Sequence, residues 1–339
     1  MLDFDVHDGN ALTAPAGVHG RIAVVDLTSG VVKYEAPDPI WWRTHLGGGA
    51  LAGYYLLKEI PLGTDALDPE NALVFASSLV AGLDAPAASK HTVVAKSPLT
   101  GAVGESQSVG PFGPALKASG VDAIVIKGRA QEPVMLRIRK GQAEIVAARE
   151  LWGMEVADAH DEIVASEGEA AHTAIIGPAG ERLVRFASIV NDVRFMNCRT
   201  GMGAVMGSKN LKAVVVHAEV EAPVAHPELL DEIRRDWREN YHSTVHNKAQ
   251  TTHGISSWLS ATEGGEDWTY VVGNYDNAVY PDLKHLSADV LQERYAAEQP
   301  AGYEWFDYAR VYHVPEGPMK TDPRYGGCEG NSLAALGPP

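Results

Sequence analysis

The sequence predicts an α+β fold: a duplicated unit of sheet and short helix, then a shortened, mainly helical segment. Three observations predict it. Short β-rich runs recur up to about residue 217, with only brief helical stretches between them. One pattern, glycine loop, short helix, lysine and apolar strand, occurs twice. Beyond Glu219 the chain becomes charged, helically spaced and richer in aromatic residues. A length of 339 residues suits two domains. The expected division is a loose leader over 1–16, a first domain over 17–219 and a second over 220–339.

The elements follow in order. Gly20–Leu27 is β-rich, and Thr28-Ser-Gly30 turns it into Val31–Tyr34, which predicts a hairpin. Ile40–Ile60 has helical spacing broken by Gly47-Gly-Gly49, so a helix is expected from about Ala50 to Glu59. Ala72–Ala76, His91–Ala95, Ala123–Lys127, Val134–Arg139 and Thr173–Ile176 read as strands. Pro114–Ala118 and Asp158–Glu167 read as helices, as do the charged stretches 227–241 and 287–299.

The most informative stretch is Arg199-Thr-Gly-Met-Gly-Ala-Val-Met-Gly-Ser-Lys-Asn-Leu-Lys-Ala213. Gly201, Gly203 and Gly207 are flanked by Arg199, Lys209 and Lys212. Glycines let a backbone approach a ligand and expose its N–H groups, and Arg and Lys suit phosphate. An anionic cofactor on a glycine-rich base is expected; a turn-rich piece without a ligand is the alternative. A P-loop is excluded, because the order is Ser208-Lys209. A dinucleotide fingerprint fails too: its third glycine comes one residue late, with too little chain for a crossover helix. The same pattern appears at Gly110-Pro-Phe-Gly113, Leu116-Lys117 and the strand at Ala123. Two copies suggest a pair of related ligand cradles.

Composition narrows the partners. The net charge is −16, which disfavours nucleic acid and anionic membranes. No apolar run is long enough to span a bilayer, and the acidic N-terminus is no secretory signal. Two cysteines, Cys198 and Cys328, make no disulfide framework and point to a cytoplasmic setting. They are also too few for a four-thiolate iron–sulfur cluster.

Several segments carry a wider likeness: Gly20-Arg-Ile-Ala-Val-Val-Asp-Leu-Thr28, Leu46-Gly-Gly48, Pro69-Glu-Asn71 and Lys96-Ser-Pro-Leu-Thr-Gly101. Ile176-Gly-Pro-Ala-Gly-Glu181 and Gly201–Ala213 extend it, and Gly254, Asn274-Tyr275 and the segment after Glu329 continue it weakly. On these the chain resembles the tungsten- and molybdenum-pterin aldehyde ferredoxin oxidoreductase family, from about residue 17 onward. The resemblance implies a first domain that forms a base under two pyranopterins holding one W or Mo, followed by helical domains carrying a [4Fe–4S] cluster. It implies oxidation of an aldehyde to an acid with electrons passed to ferredoxin. It also implies cofactor contacts at Lys90, Lys96, Ser97, Gln107, Gly110, Arg199, Gly201, Gly203, Gly207 and Lys209, and a proton-transfer role for Glu329.

The departures matter. Relatives usually carry Cys-x2-Cys-x3-Cys where this chain reads Tyr303-Glu-Trp-Phe-Asp-Tyr-Ala-Arg310. They usually have Arg at the position of Lys90, Asn at Gln107 and Gly at Cys198. A truncated or split family member, completed by another subunit or copy, is therefore expected beside a second reading. In that reading the family site is repurposed without metal or cluster, for non-redox catalysis or small-molecule binding. A homo-oligomer or a completing subunit is expected to cover the apolar cofactor face. His242, His246 and His253 have a spacing conceivable for zinc. Cys198 reads as a small buried filler or as a thiolate beside Arg199. Trp305, Phe306 and Tyr308 read as core packing.

Overall fold

The computed structural model describes residues 15–83, 85, 88–240 and 243. The chain divides into two compact units, residues 1–227 and 228–339. The second is described mainly by one charged helix, α7 (Pro227–Asn240), which begins at the last residue of the first unit and has no buried residue and an Arg234–Asp231 ion pair.

The first unit holds two six-stranded sheets. The first is built from β1 (Ile22–Asp26), β2 (Val31–Glu35), β3 (Leu73–Ser77), β4 (His91–Lys96), β5 (Val103–Ser108) and β6 (Ala123–Lys127), in the order β2-β1-β6-β3-β4-β5. The second is built from β7 (Val134–Arg139), β8 (Gln142–Ala147), β9 (Ala171–Ile175), β10 (Ile189–Asn191), β11 (Phe195–Asn197) and β12 (Leu211–His217). Its order, β8-β7-β12-β9-β10-β11, repeats the first. In each sheet the first and sixth strands of the repeat run parallel and every other pair is antiparallel. The duplication read from two glycine motifs thus extends to the whole strand order.

Two short helices lie between the sheets. α3 (Phe112–Ala118) packs on β3 and β4 of one sheet and on β9 and β12 of the other. α6 (Met202–Ser208) packs on β3, β4 and β12, and all seven of its residues are buried. One apolar core joins Phe75, Val93, Phe112, Leu116, Ile124, Leu136, Ile189, Met202, Val205 and Val214. Burial of each such large side chain stabilises by about 1.5–3 kcal/mol. The outer face of the first sheet is covered by α1 (Pro39–His45) and α2 (Gly48–Glu59), with Trp42, Leu51, Tyr55 and Leu56 in the contact. The second sheet's outer face is covered by α4 (Val156–Glu167) through Ala159 and Ile163. A four-residue helix, α5 (Pro178–Glu181), abuts α6.

Four strands, β5, β8, β10 and β11, and the helices α1 and α5 escape the sequence reading. α1 has a full set of signals: Asp38 accepts a hydrogen bond from the Trp41 N–H, and Pro39 opens the first turn.

The helix between the sheets explains the glycines. A β-carbon at Gly203 would overlap the carbonyl oxygens of Ser188 and Ala187, and one at Gly207 the carbonyl of Gly180. The Gly203 N–H donates to Ala187. In the first repeat Gly113 plays the part of Gly203: its β-carbon would lie 2.5 Å from the Ser89 carbonyl oxygen. Ala88-Ser89 and Ala187-Ser188 are the same dipeptide at equivalent places. A helix enclosed on all sides needs small residues wherever backbone meets backbone. Gly203 and Gly207 are thus buried positions of close backbone packing.

Candidate functional site

The edge strands β5 and β11 meet and join the two sheets. Alternation on β5 buries Gly104, Ser106 and Ser108 and exposes Val103, Glu105 and Gln107. A buried polar seam forms behind them. The Asn197 amide donates to the Ser106 carbonyl at 2.9 Å, and the Asn191 amide donates to Asn197 Oδ1 at 2.9 Å and Ser108 Oγ at 3.2 Å. His91 Nε2 donates to the same Asn197 oxygen at 3.0 Å, which fixes its tautomer. Burial pushes the His91 imidazole down to about 4, against a smaller upward pull from Asn197 and Asp192, so it is neutral at pH 7.

In front of the seam runs Cys198-Arg199-Thr200. Arg199 has φ +79°, a left-handed conformation that costs a non-glycine residue about 1–2 kcal/mol. Two hydroxyls hold the strand of backbone there: Ser106 Oγ donates to the Cys198 carbonyl at 2.9 Å and Ser97 Oγ to the Thr200 carbonyl at 2.8 Å. Ser97 Oγ also accepts from the N–H groups of Leu99 and Thr100, so its hydroxyl is fully used. Gly201 follows at φ +77°, where a β-carbon would overlap the Arg185 carbonyl. The Arg199 side chain itself is exposed. A strained backbone clamped on both sides presents a guanidinium outward, the fork that suits phosphate or carboxylate.

The structure sorts the expected contact residues. Arg199, Ser97, Gly201 and the β5 strand bearing Gln107 converge on the seam. Gln107 is exposed and donates to Glu105 at 3.0 Å, so its amide is held in place. Lys90 is exposed at the start of β4, while Lys96 ends that strand, roughly 20 Å away at strand rise. Lys96 Nζ donates to the Thr64 carbonyl at 2.6 Å. Gly110, at φ +100°, is buried against the Phe195 ring.

Lys209 is not part of an exposed site. It is fully buried, and its ammonium donates to the carbonyls of Pro69 at 3.0 Å and Gly128 at 3.3 Å. Burial lowers its pKa to about 8. Lys212 is likewise buried, on Glu181 and the Met154 carbonyl. Both lysines fasten loops. Cys198 is exposed, so the buried-filler reading is also corrected. Glu329, the histidines His242, His246 and His253, and the aromatic group Trp305, Phe306 and Tyr308 lie outside the described residues. Among the described residues no three His, Cys, Asp or Glu side chains group to hold a metal ion. Ser106, Asn191 and Asn197 went unread in the sequence, although the alternation Gly-Glu-Ser-Gln-Ser over 104–108 carries the signal.

Residues 22–218 match the family model for the aldehyde ferredoxin oxidoreductase N-terminal domain. The chain belongs to the aldehyde ferredoxin oxidoreductase family. It is 36% identical over 324 residues to a tungsten-containing aldehyde ferredoxin oxidoreductase of Pyrococcus furiosus, covering 95% of this chain and 52% of that protein. A protein of the same description from Pyrococcus horikoshii is 38% identical over 310 residues, 89% of this chain and 51% of the relative. The chain thus spans about half the length of these relatives. Among solved structures it is similar to a chain of the active-site complex BamBC of benzoyl-coenzyme A reductase, in complex with 1,5-dienoyl-CoA. That match has a TM-score of 0.62 at 28% identity, over 90% of this chain and 44% of the other. The Arg199 seam lies within the residues that match the family model. Among the described residues no helix is long and apolar enough to cross a membrane.

Proposed function

We propose that this chain is the cofactor-holding part of an oxidoreductase that converts an aldehyde to a carboxylic acid, or the reverse. Its cofactor in this reading is tungsten or molybdenum on two pyranopterins, and its electron partner is ferredoxin. The observation that carries the reading is Arg199: exposed, clamped at positive φ by Ser97 and Ser106, in a chain of this family.

The exposed groups suit a phosphate-bearing pterin. Arg199 offers a bidentate fork to phosphate oxygens, the Gln107 amide offers a neutral hydrogen bond, and Lys90 adds exposed positive charge. Lys209, Gly203 and Gly207 are buried, and in this reading they pack the fold behind that surface. A metal bis-pterin, when bound, supplies two-electron chemistry at the carbonyl carbon. Glu329 in this reading takes up the proton released there. The four thiolates of an iron–sulfur cluster are not among these 339 residues, which contain two cysteines. The reading therefore includes a completing subunit or a second copy, in a cytoplasmic setting.

The same cysteine count favours one second reading, a family member that uses this surface for a small anion without redox chemistry. Metal and pterin analysis of oxygen-free protein separates the two. The first reading predicts W or Mo together with pterin, both lowered in Arg199→Ala. Protein from a cofactor-producing host that carries neither metal nor pterin would establish the second.

A further inference from the structure

The first repeat has a feature that the second lacks. Between β2 and β3 it inserts two helices, α1 and α2, where the second repeat has the single long helix α4. The extra helix builds an aromatic corner. Trp41 and Tyr54 lie 5.2 Å apart at 79°, Trp41 and Tyr55 5.9 Å apart at 66°, and Tyr54 and Tyr55 5.4 Å apart at 83°. The three rings stand at 66–83° to one another and form a corner, while His45, which does not line the cavity, stacks on one face of Trp41 at 4.4 Å and 27°. Glu35, Ala36, Pro37 and Asp38 close the other sides, leaving a cavity of about 340 Å3.

We propose that this cavity binds a methylated alkylammonium ion, with the rings of Trp41, Tyr54 and Tyr55 around its methyl groups and the carboxylate of Asp38, beside the Glu35–Lys58 pair, as counter-charge. The proposal is independent of the Arg199 surface. Aromatic rings attract cations through their quadrupole, and quaternary ammonium groups are the cations that aromatic cages take best.

Two further observations set the ligand class. The protein already places one cation on this corner: Lys58 Nζ sits 4.9 Å over the Tyr55 ring and donates to both oxygens of Glu35, at 2.8 and 2.9 Å. The acceptors are also largely spoken for. Glu35 takes the Tyr55 hydroxyl at 2.6 Å besides Lys58, and Asp38 Oδ1 takes the Trp41 N–H at 2.8 Å. A primary ammonium, which must replace three water hydrogen bonds, finds few acceptors here. A methylated ammonium has fewer or no N–H groups to satisfy and needs only charge and rings. Burial pushes the Glu35 carboxyl up, but the bonds from Lys58 and Tyr55 outweigh it and hold it below the usual range, so Glu35 stays ionised and keeps Lys58 paired.

Titration calorimetry of the full chain with choline chloride, at constant ionic strength, tests the proposal. The expected result is a saturable single site. Tyr54→Ala, an exposed position, should weaken choline about three- to tenfold. Asp38→Asn keeps the helix cap, since Asn also accepts from the third N–H, and should weaken choline without altering circular dichroism. Absence of saturable heat with the wild-type chain overturns the proposal. So does unchanged affinity in both folded variants, or ammonium chloride binding as tightly as choline.

Discussion

The two repeats of the first unit share a strand order but differ in how they treat buried charge and exposed surface. In the first, Lys117 at the end of α3 is buried on Asp122, which also accepts from the backbone N–H groups of His19 and Arg21. In the second, Lys212 on β12 is buried on Glu181. The first repeat builds an aromatic cavity on an added helix; the second presents Arg199 on a strained turn. The difference teaches that duplicated architecture fixes the sheets and the enclosed helices, while chemistry accumulates on the segments where the copies diverge.

Breaking a buried ion pair should produce the largest effect. Asp122→Leu leaves the Lys117 ammonium uncompensated, and removing one partner of such a pair costs about 3–5 kcal/mol. Urea denaturation reads this as a lower midpoint. A smaller loss than in Glu181→Leu would show that the second repeat, not the first, depends more on its pair.

Gly207→Ala should cost about 3 kcal/mol or more, because its β-carbon meets the Gly180 backbone, which has no rotamer to escape into. Wild-type stability in the Gly207→Ala variant would refute the packing account of α6.

The seam between repeats should be acid-sensitive. The folded His91 titrates near 4 and an unfolded one near 6.5, so below pH 6.5 the unfolded state binds more protons. Stability from this group is complete above about pH 6.5 and falls toward pH 4, by on the order of 3 kcal/mol in total. His91→Phe should flatten that part of the pH profile; an equally steep profile in the variant would remove His91 from the account.

Gly53, by contrast, lies inside α2 with open space around the place of a β-carbon. Gly53→Ala should raise stability by about 0.5–1 kcal/mol. Thermal unfolding beside Gly207→Ala then compares a glycine that packing requires with one that it does not.

Much of this was legible in the sequence. Apolar runs such as Ala123–Lys127 and the doubled glycine pattern gave most strands, the duplication and the family. β5 was not legible as a strand, because its two faces are small-polar and charged, with only Val103 apolar. β10 and β11 were too short, at three residues each, to show a period. The packing of Gly203, Gly207 and Lys209 was not legible for one reason. Glycine and lysine serve a phosphate or a close backbone crossing equally well, and only the three-dimensional neighbours distinguish the two uses.

Amide hydrogen exchange across residues 198–208 tests the central claim most directly. In this account α6 is an enclosed structural helix, and the ligand-facing element is the Arg199 turn before it. The Gly203 amide and the rest of α6 should exchange only with global unfolding, while the Arg199 amide exchanges far faster. Exchange of the α6 amides within seconds in the native state, as an open glycine cradle would give, would contradict it.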